Sequence, residues 1–172
     1  MILIHTALLC EAQSFIEYYK LKKTNSTPKI YQNQNILVCI SGIGKEKTLL
    51  ALEYIYENYP INKAFNIGIA GCNDTNISIG SLYCTNHALD QINFLPLITS
   101  NTVVTKSKKK ETTLYDMEAK YFLEISEKHL KNDALFIFKI VSDYLEDTTL
   151  PKDLIKKYIT RQNNLHKFIN LT

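Results

Sequence analysis

The sequence predicts an α/β fold built on a mainly parallel sheet, and three observations carry that prediction. Short β-rich apolar runs alternate with longer amphipathic stretches, and strand, helix, strand, helix, strand in succession implies right-handed crossovers between parallel neighbours. The chain is 172 residues long, 45% hydrophobic and 22% charged. That is an ordinary globular composition, with enough length to bury a core without disulfides or a metal, and it excludes disorder and repeat arrays. Glycine is scarce. There are five in the chain, Gly42, Gly44, Gly68, Gly71 and Gly80, well under the usual frequency of about 7%. All fall in one stretch, where the main chain must turn tightly or approach a ligand.

The elements follow in order. Residues 2–8 read as a buried strand, and residues 11–21, with Phe15, Ile16 and Tyr19 on one face, as a helix. A polar break at 24–28 precedes a second strand at 36–40. The turn Ser41-Gly-Ile-Gly44 then opens a helix over about 45–59, in which Leu49, Leu52, Ile55 and Tyr56 recur at helical spacing until Pro60 ends it. Residues 64–70 form a third strand, followed by Gly71 and a turn at Asn73-Asp74. Strands are expected at 81–85 and 101–105, around an irregular piece containing Pro96. The lysine cluster at 106–110 reads as a solvated loop. A helix is expected over 114–130, with Met117, Tyr121, Phe122 and Ile125 on one face. Residues 134–141 form a nearly unbroken apolar strand of the kind buried on both faces. A final helix starts at Pro151 and carries Leu154, Ile155, Tyr158, Ile159, Leu165, Phe168 and Ile169. With no linker or repeat, residues 1–172 are expected to form one domain.

The totals exclude several functions. Twenty basic against seventeen acidic residues give a net charge of +3, too weak to argue for nucleic acid. Arg161 is the single arginine, so the planar fork that usually grips phosphate and guanine is nearly absent. Cys10, Cys39, Cys72 and Cys84 are far apart and contain no C-x-x-C pair, which reads as reduced core thiols in a cytoplasmic protein. The histidines show no ligand spacing, and neither a metal nor a cofactor is expected. The opening apolar run is short, interrupted by His5, and carries no basic leader or cleavage site. No run approaches the ~20 apolar residues of a membrane helix.

In an open α/β sheet, ligands bind beyond the carboxyl ends of the strands. Glu11, the turn 41–45, the segment 68–73 and the pair Ser142-Asp143 all fall there, and Asp116-Met-Glu118 opens the helix expected from 114. Each also has a structural reading. An acid in the first turn of a helix favourably meets the helix dipole, and Ser142 and Asp143 can cap a turn. The turn Ser41-Gly-Ile-Gly-Lys45 lacks the third glycine of a dinucleotide fingerprint. It also lacks the first glycine and the Ser or Thr after the lysine that a P-loop requires. What remains is a glycine turn into a helix N-terminus, able to offer backbone N–H groups to a polar ligand.

Five motifs, Thr6-Ala-Leu-x-x-Glu11-Ala, Ser41-Gly-Ile-Gly-Lys45, Asn66-Ile-Gly-Ile-Ala-Gly71, Asp116-Met-Glu118-Ala and Val141-Ser-Asp143, occur in an order that resembles the nucleoside phosphorylase superfamily. Within it, the nearest resemblance is to the 5′-methylthioadenosine/S-adenosylhomocysteine nucleosidases. The resemblance implies a three-layer fold, a mainly parallel mixed sheet flanked by helices, and hydrolysis of the N-glycosidic bond of a purine nucleoside within methionine salvage. It implies that Glu11 activates the attacking water and that Gly71 offers a backbone contact near the base. Met117 and Glu118 would hold the ribose, and Asp143, oriented by Ser142, would protonate N7 of the leaving purine. It further implies a small-molecule nucleoside as the partner, no nucleic acid or membrane, and a homodimer. Ile69 stands where many members carry a small hydroxyl residue, and no phosphate loop or arginine is present, which favours hydrolysis over phosphorolysis. Members are some tens of residues longer, and the shortfall lies between Gly71 and Asp116. Residues 102–105 are expected to stand in for their base-contacting strand. A phosphorylase holding its anion on backbone N–H groups, and a non-catalytic protein that binds nucleoside or adenine, are the alternatives.

Overall fold

The structure, a computed structural model, describes residues 1–147 and 149–171, the side chain of Leu171 excepted. The first five elements are β1 (Ile2–Thr6), α1 (Leu9–Tyr18), the short β2 (Lys22–Lys23) and β3 (Lys29–Gln32), and β4 (Ile36–Ile40). Next come α2 (Lys45–Asn58), β5 (Lys63–Cys72), β6 (Leu82–Cys84), β7 (Leu97–Thr99), β8 (Leu114–Asp116) and α3 (Ala119–Ser126). The chain ends with β9 (Leu135–Asp143), α4 (Lys152–Thr160) and α5 (Asn163–Leu171).

All nine strands join one mixed sheet. Its centre is the parallel ladder β4-β1-β5-β9, in which Ile4 stands opposite Val38 and Phe65, and Phe65 opposite Phe136. β3 and β2 extend one side antiparallel, and β6 lies antiparallel on β9. Because the central strands are covered on both sides, successive residues enter opposite cores. Ile4, Val38, Phe65, Ile67, Phe136 and Phe138 pack with Phe15 of α1, Ile159 of α4 and Leu165 of α5. Leu3, Leu37, Ala64, Leu135 and Ile137 pack on the other face with Leu52 and Ile55 of α2 and Phe122 and Ile125 of α3. Helices on both faces make the three layers that the resemblance implies.

The register of β5 creates the site. β1 pairs with it only as far as Asn66, whereas β9 follows it to Gly71 and β8 pairs with Gly71 and Cys72. The stretch of β5 between these partners is thus open toward β1. On the α2/α3 face, the positions that continue Leu3, Ala64 and Ile137 toward the carboxyl ends are His5, Asn66, Gly68 and Lys139, so the apolar core becomes polar there.

Several expected elements are corrected. The strand expected at 101–105 lies earlier, as β7, and residues 101–105 are irregular despite their β-branched content. The helix expected over 114–130 starts as β8, because Leu114 and Tyr115 pair with the end of β5. It begins only at Ala119, whose N–H is taken by Asp116 Oδ2 at 2.8 Å. The final helix is two, broken at Arg161-Gln162, where Gln162 Nε2 donates to the Gly80 carbonyl at 2.9 Å. The helix expected at 11–21 runs from Leu9 to Tyr18, and β2 and β3 flank the polar break. All four cysteines are buried and free.

Candidate active site

Glu11 sits in the first turn of α1 and folds back over the helix start. Its Oε2 accepts from the N–H groups of Ala7 at 3.1 Å and Leu8 at 2.8 Å. Its Oε1 reaches across to accept from Ile69 N–H at 3.0 Å, in the open stretch of β5. The capping role and a role at the strand end therefore coexist in one carboxyl group. Glu11 is 3% exposed, and burial raises its pKa while the backbone N–H groups and Lys139 oppose the rise. Gly68 makes the approach possible. A Cβ there would stand 2.8 Å from Glu11 Oε1 and 3.6 Å from Lys139 Nζ.

Lys139 is the residue that sequence reasoning missed. It lies inside the apolar run of β9, 1% exposed, with Nζ 2.8 Å from Asp116 Oδ2. Buried lysines occur almost only as paired groups, and a lone lysine in a strand covered on both faces was the available signal. Burial disfavours its charge, but Asp116, Glu118 and Glu11 outweigh that and raise its pKa. Asp116 is itself held by Thr99 Oγ1, which donates to its Oδ1 at 2.6 Å.

Glu118, at the start of α3, accepts from Gly44 N–H at 2.8 Å through Oε1 and is 8% exposed. Its pKa is raised to about 7, first by burial and also by Asp116 and Glu11, against the pull of Lys139 and the Gly44 amide. The glycine turn thus spends this amide on the protein's own carboxylate. Gly42 and Gly44, at φ +92° and +93°, take a backbone conformation that favours glycine.

Asp143 closes β9. Its Oδ2 accepts from Ser142 Oγ at 2.6 Å and its Oδ1 from Leu145 N–H at 3.0 Å. Gly71 lies against it, since a Cβ there would meet Asp143 Oδ1 at 3.0 Å and Leu145 Cδ2 at 2.8 Å. Gly68 and Gly71 are three strand residues apart, about 10 Å. Glu11 and Lys139 therefore mark one end of the strand edge and Asp143 the other. Met117 is half-buried between Asp116 and Glu118 in sequence.

Three carboxyl groups, Glu11, Asp116 and Glu118, surround the ammonium of Lys139, and burial raises the pKa of Glu11 and, to about 7, that of Glu118. Between pH 4.5 and about 7 the folded protein holds the Glu118 proton that the unfolded chain has released. Stability from this group therefore falls as pH rises through that window, by on the order of 3 kcal/mol. His5, kept neutral down to about 3 by burial and Lys139, gives the opposite slope below its ordinary pKa, so the diagnostic is a difference between two proteins. Glu118→Gln is expected to gain stability relative to the parent from pH 5 to pH 8. Parallel denaturation curves at both pH values check this, and a constant difference would refute the burial of an ionisable Glu118.

No family model matches the sequence, and no curated protein qualifies as a relative. Solved structures do match. Futalosine hydrolase of Helicobacter pylori is 13% identical, with 99% of this chain and 97% of that chain covered and a TM-score of 0.81. An Asp-to-Asn variant of the H. pylori 5′-methylthioadenosine/S-adenosylhomocysteine nucleosidase, with 5′-methylthioadenosine in its active site, is 12% identical, with 99% and 98% covered and a TM-score of 0.81. The corresponding nucleosidase from S. pneumoniae, with a transition-state inhibitor, is 13% identical, with 96% of each chain covered and a TM-score of 0.78. At such identities the likeness establishes architecture alone: this chain has the fold of these nucleosidases and of futalosine hydrolase.

Proposed function

We propose that the protein hydrolyses the N-glycosidic bond of a purine nucleoside of the 5′-methylthioadenosine/S-adenosylhomocysteine type and releases the free base. The observation that carries this reading is the placement of Glu11 and Glu118 around Lys139 at one end of the β5 edge, with the Ser142-Asp143 pair at the other. Cleavage develops positive charge on the sugar, which nearby carboxylates stabilise more in the transition state than in the ground state. Glu11 takes a proton from water as its oxygen bonds to C1′. The electrons of the C1′–N9 bond pass to the purine, which Asp143 protonates at N7. Glu118 accepts hydrogen bonds from the ribose hydroxyls, Met117 packs on the sugar, and Gly71 contributes a backbone contact near the base. One carboxyl group as acid and another as base is the division of labour of glycosidases.

Phosphorolysis needs a seat for a phosphate dianion. The Gly44 amide is committed to Glu118, and Arg161 lies at the end of α4. Incubation with methylthioadenosine, adenosine and inosine, with and without phosphate, is expected to release base equally in both conditions. Strict dependence on phosphate, or thermal stabilisation by adenine without any base release, would overturn the hydrolytic reading.

A further inference from the structure

Beneath the glycine turn lies a second buried polar chain that the reaction does not use directly. His5 is completely buried in β1 and stacks on Phe122 of α3 with ring centroids 5.9 Å apart. Its Nδ1 lies 2.8 Å from Asn66 Nδ2 and its Nε2 lies 2.9 Å from Ser41 Oγ. Asn66 Nδ2 can only donate, so Nδ1 accepts and Nε2 carries the proton. Ser41 Oγ accepts that proton and donates its own to the Gly42 carbonyl at 2.8 Å. The chain thus runs in one direction, from Asn66 through His5 and Ser41 into the turn. Two backbone bonds, Ser41 N–H to Thr6 O at 3.0 Å and Gly42 N–H to Ala7 O at 3.1 Å, fasten the same turn to the end of β1. At its far end stands Gly44, whose amide holds Glu118.

We propose that His5 is a positioning residue for Glu118, acting through Ser41 and the glycine turn to fix the Gly44 amide against the Glu118 carboxyl group. Three features assign this role. The imidazole is neutral and buried, so it supplies directional hydrogen bonds rather than charge. It spans the gap between a β5 side chain and the turn, and an apolar residue at this position would leave the Asn66 amide without its acceptor and Ser41 Oγ with its bond to the Gly42 carbonyl but without the donor that orients it. The two backbone bonds hold Ser41 and Gly42, and the glycines at positive φ leave the turn between Gly42 and Gly44 pliable, so the Ser41 hydroxyl bond to the Gly42 carbonyl adds to what fixes the direction of the Gly44 amide.

The readout is the ionisation of Glu118. The Gly44 amide favours the charged carboxylate, so loosening the amide raises the pKa of Glu118 further. The other charged groups facing Glu118 are Lys139 of β9, Asp116 of β8 and Glu11 of α1, while the Lys45 ammonium of α2 stands over the Tyr121 ring, 5.6 Å from its centroid. None of these is bonded to the His5 chain, so substitution at His5 leaves them in place.

The role matters to catalysis only under the proposed hydrolysis, but its test does not depend on that reading. Carbon-13 NMR titration of the Glu118 carboxyl in the ligand-free protein is expected to show a rise of about half a pH unit or more in His5→Phe. That variant keeps the stack on Phe122 and loses both hydrogen bonds. Ser41→Ala, which disturbs the core less, is expected to move Glu118 in the same direction. His5→Gln retains an N–H donor toward Ser41 and should remain near the parent. If base release occurs, the acid limb of its pH profile should follow the same order. An unchanged Glu118 titration in folded Ser41→Ala or His5→Phe would overturn the proposal. Absence of base release in the parent would overturn the hydrolytic function while leaving the titration to decide the role of His5.

Discussion

Asp143→Asn should lower base release by about 10³-fold or more while leaving the fold and nucleoside binding largely intact. The chemical part follows from what an amide lacks: it cannot hand a proton to N7, and loss of a positioned general acid costs on the order of 10²–10⁴ in rate. The structural part follows from the local bonds. The asparagine carbonyl can keep the Leu145 N–H bond now made by Oδ1. Its NH₂ would face Ser142 Oγ, which currently donates to Oδ2. Ser142 has a second acceptor ready, the Ala70 carbonyl at 3.1 Å. Its hydroxyl can turn there and accept from the asparagine, so no buried polar group is orphaned. Burst and steady-state measurement of base release, with a melting curve for each protein, checks both halves. Activity within tenfold of the parent would remove Asp143 from the role of acid.

The legible parts of the molecule were those in which burial acts on a long segment. β4, β5 and β9 are covered on both sides, so nearly every residue is apolar and the runs stand out; the positions of Glu11, Glu118 and Asp143 at element ends then followed. The short strands were not legible. β7 and β8 have three residues each, and their pairing with one another and with the end of β5 is decided by tertiary contact rather than by local preference. Residues 101–105 show the converse: a β-branched run without a partner strand remains irregular. Asp116 looked like one member of an acidic helix start, whereas it ends β8, takes the Ala119 N–H and pairs with Lys139. Lys139 itself was hidden by the apolar character of its neighbours. What fixes its importance is the pair of residues facing it, Asp116 from β8 and Glu11 from α1, which are remote in sequence and meet only because β5 is open between β1 and β8.

Lys139→Met is expected to be the most disruptive single change in the site. Methionine fills much of the same space but leaves Asp116 buried without its cation, and breaking one partner of such a pair costs about 3–5 kcal/mol. The loss also reaches Glu11 and Glu118, because Lys139 is a charge that favours ionisation of both. Without it their pKa values rise further. A buried acid with a raised pKa destabilises the folded state as pH climbs through that pKa, so the stability deficit relative to the parent should be larger at pH 8 than at pH 5. Under the proposed hydrolysis base release near neutrality should fall as well, because the water-activating role given to Glu11 requires its ionised form. Chemical denaturation at the two pH values measures the first effect. Adding Asp116→Leu separates the causes: with both charges of the pair gone, much of the stability should return, since replacing a buried ion pair by apolar groups is often close to neutral. Activity should not return with it, because Glu11 and Glu118 still lack the ammonium. Recovery of both would mean that Lys139 serves only to neutralise Asp116. A double variant no more stable than Lys139→Met would mean that the ion pair was not the source of the loss.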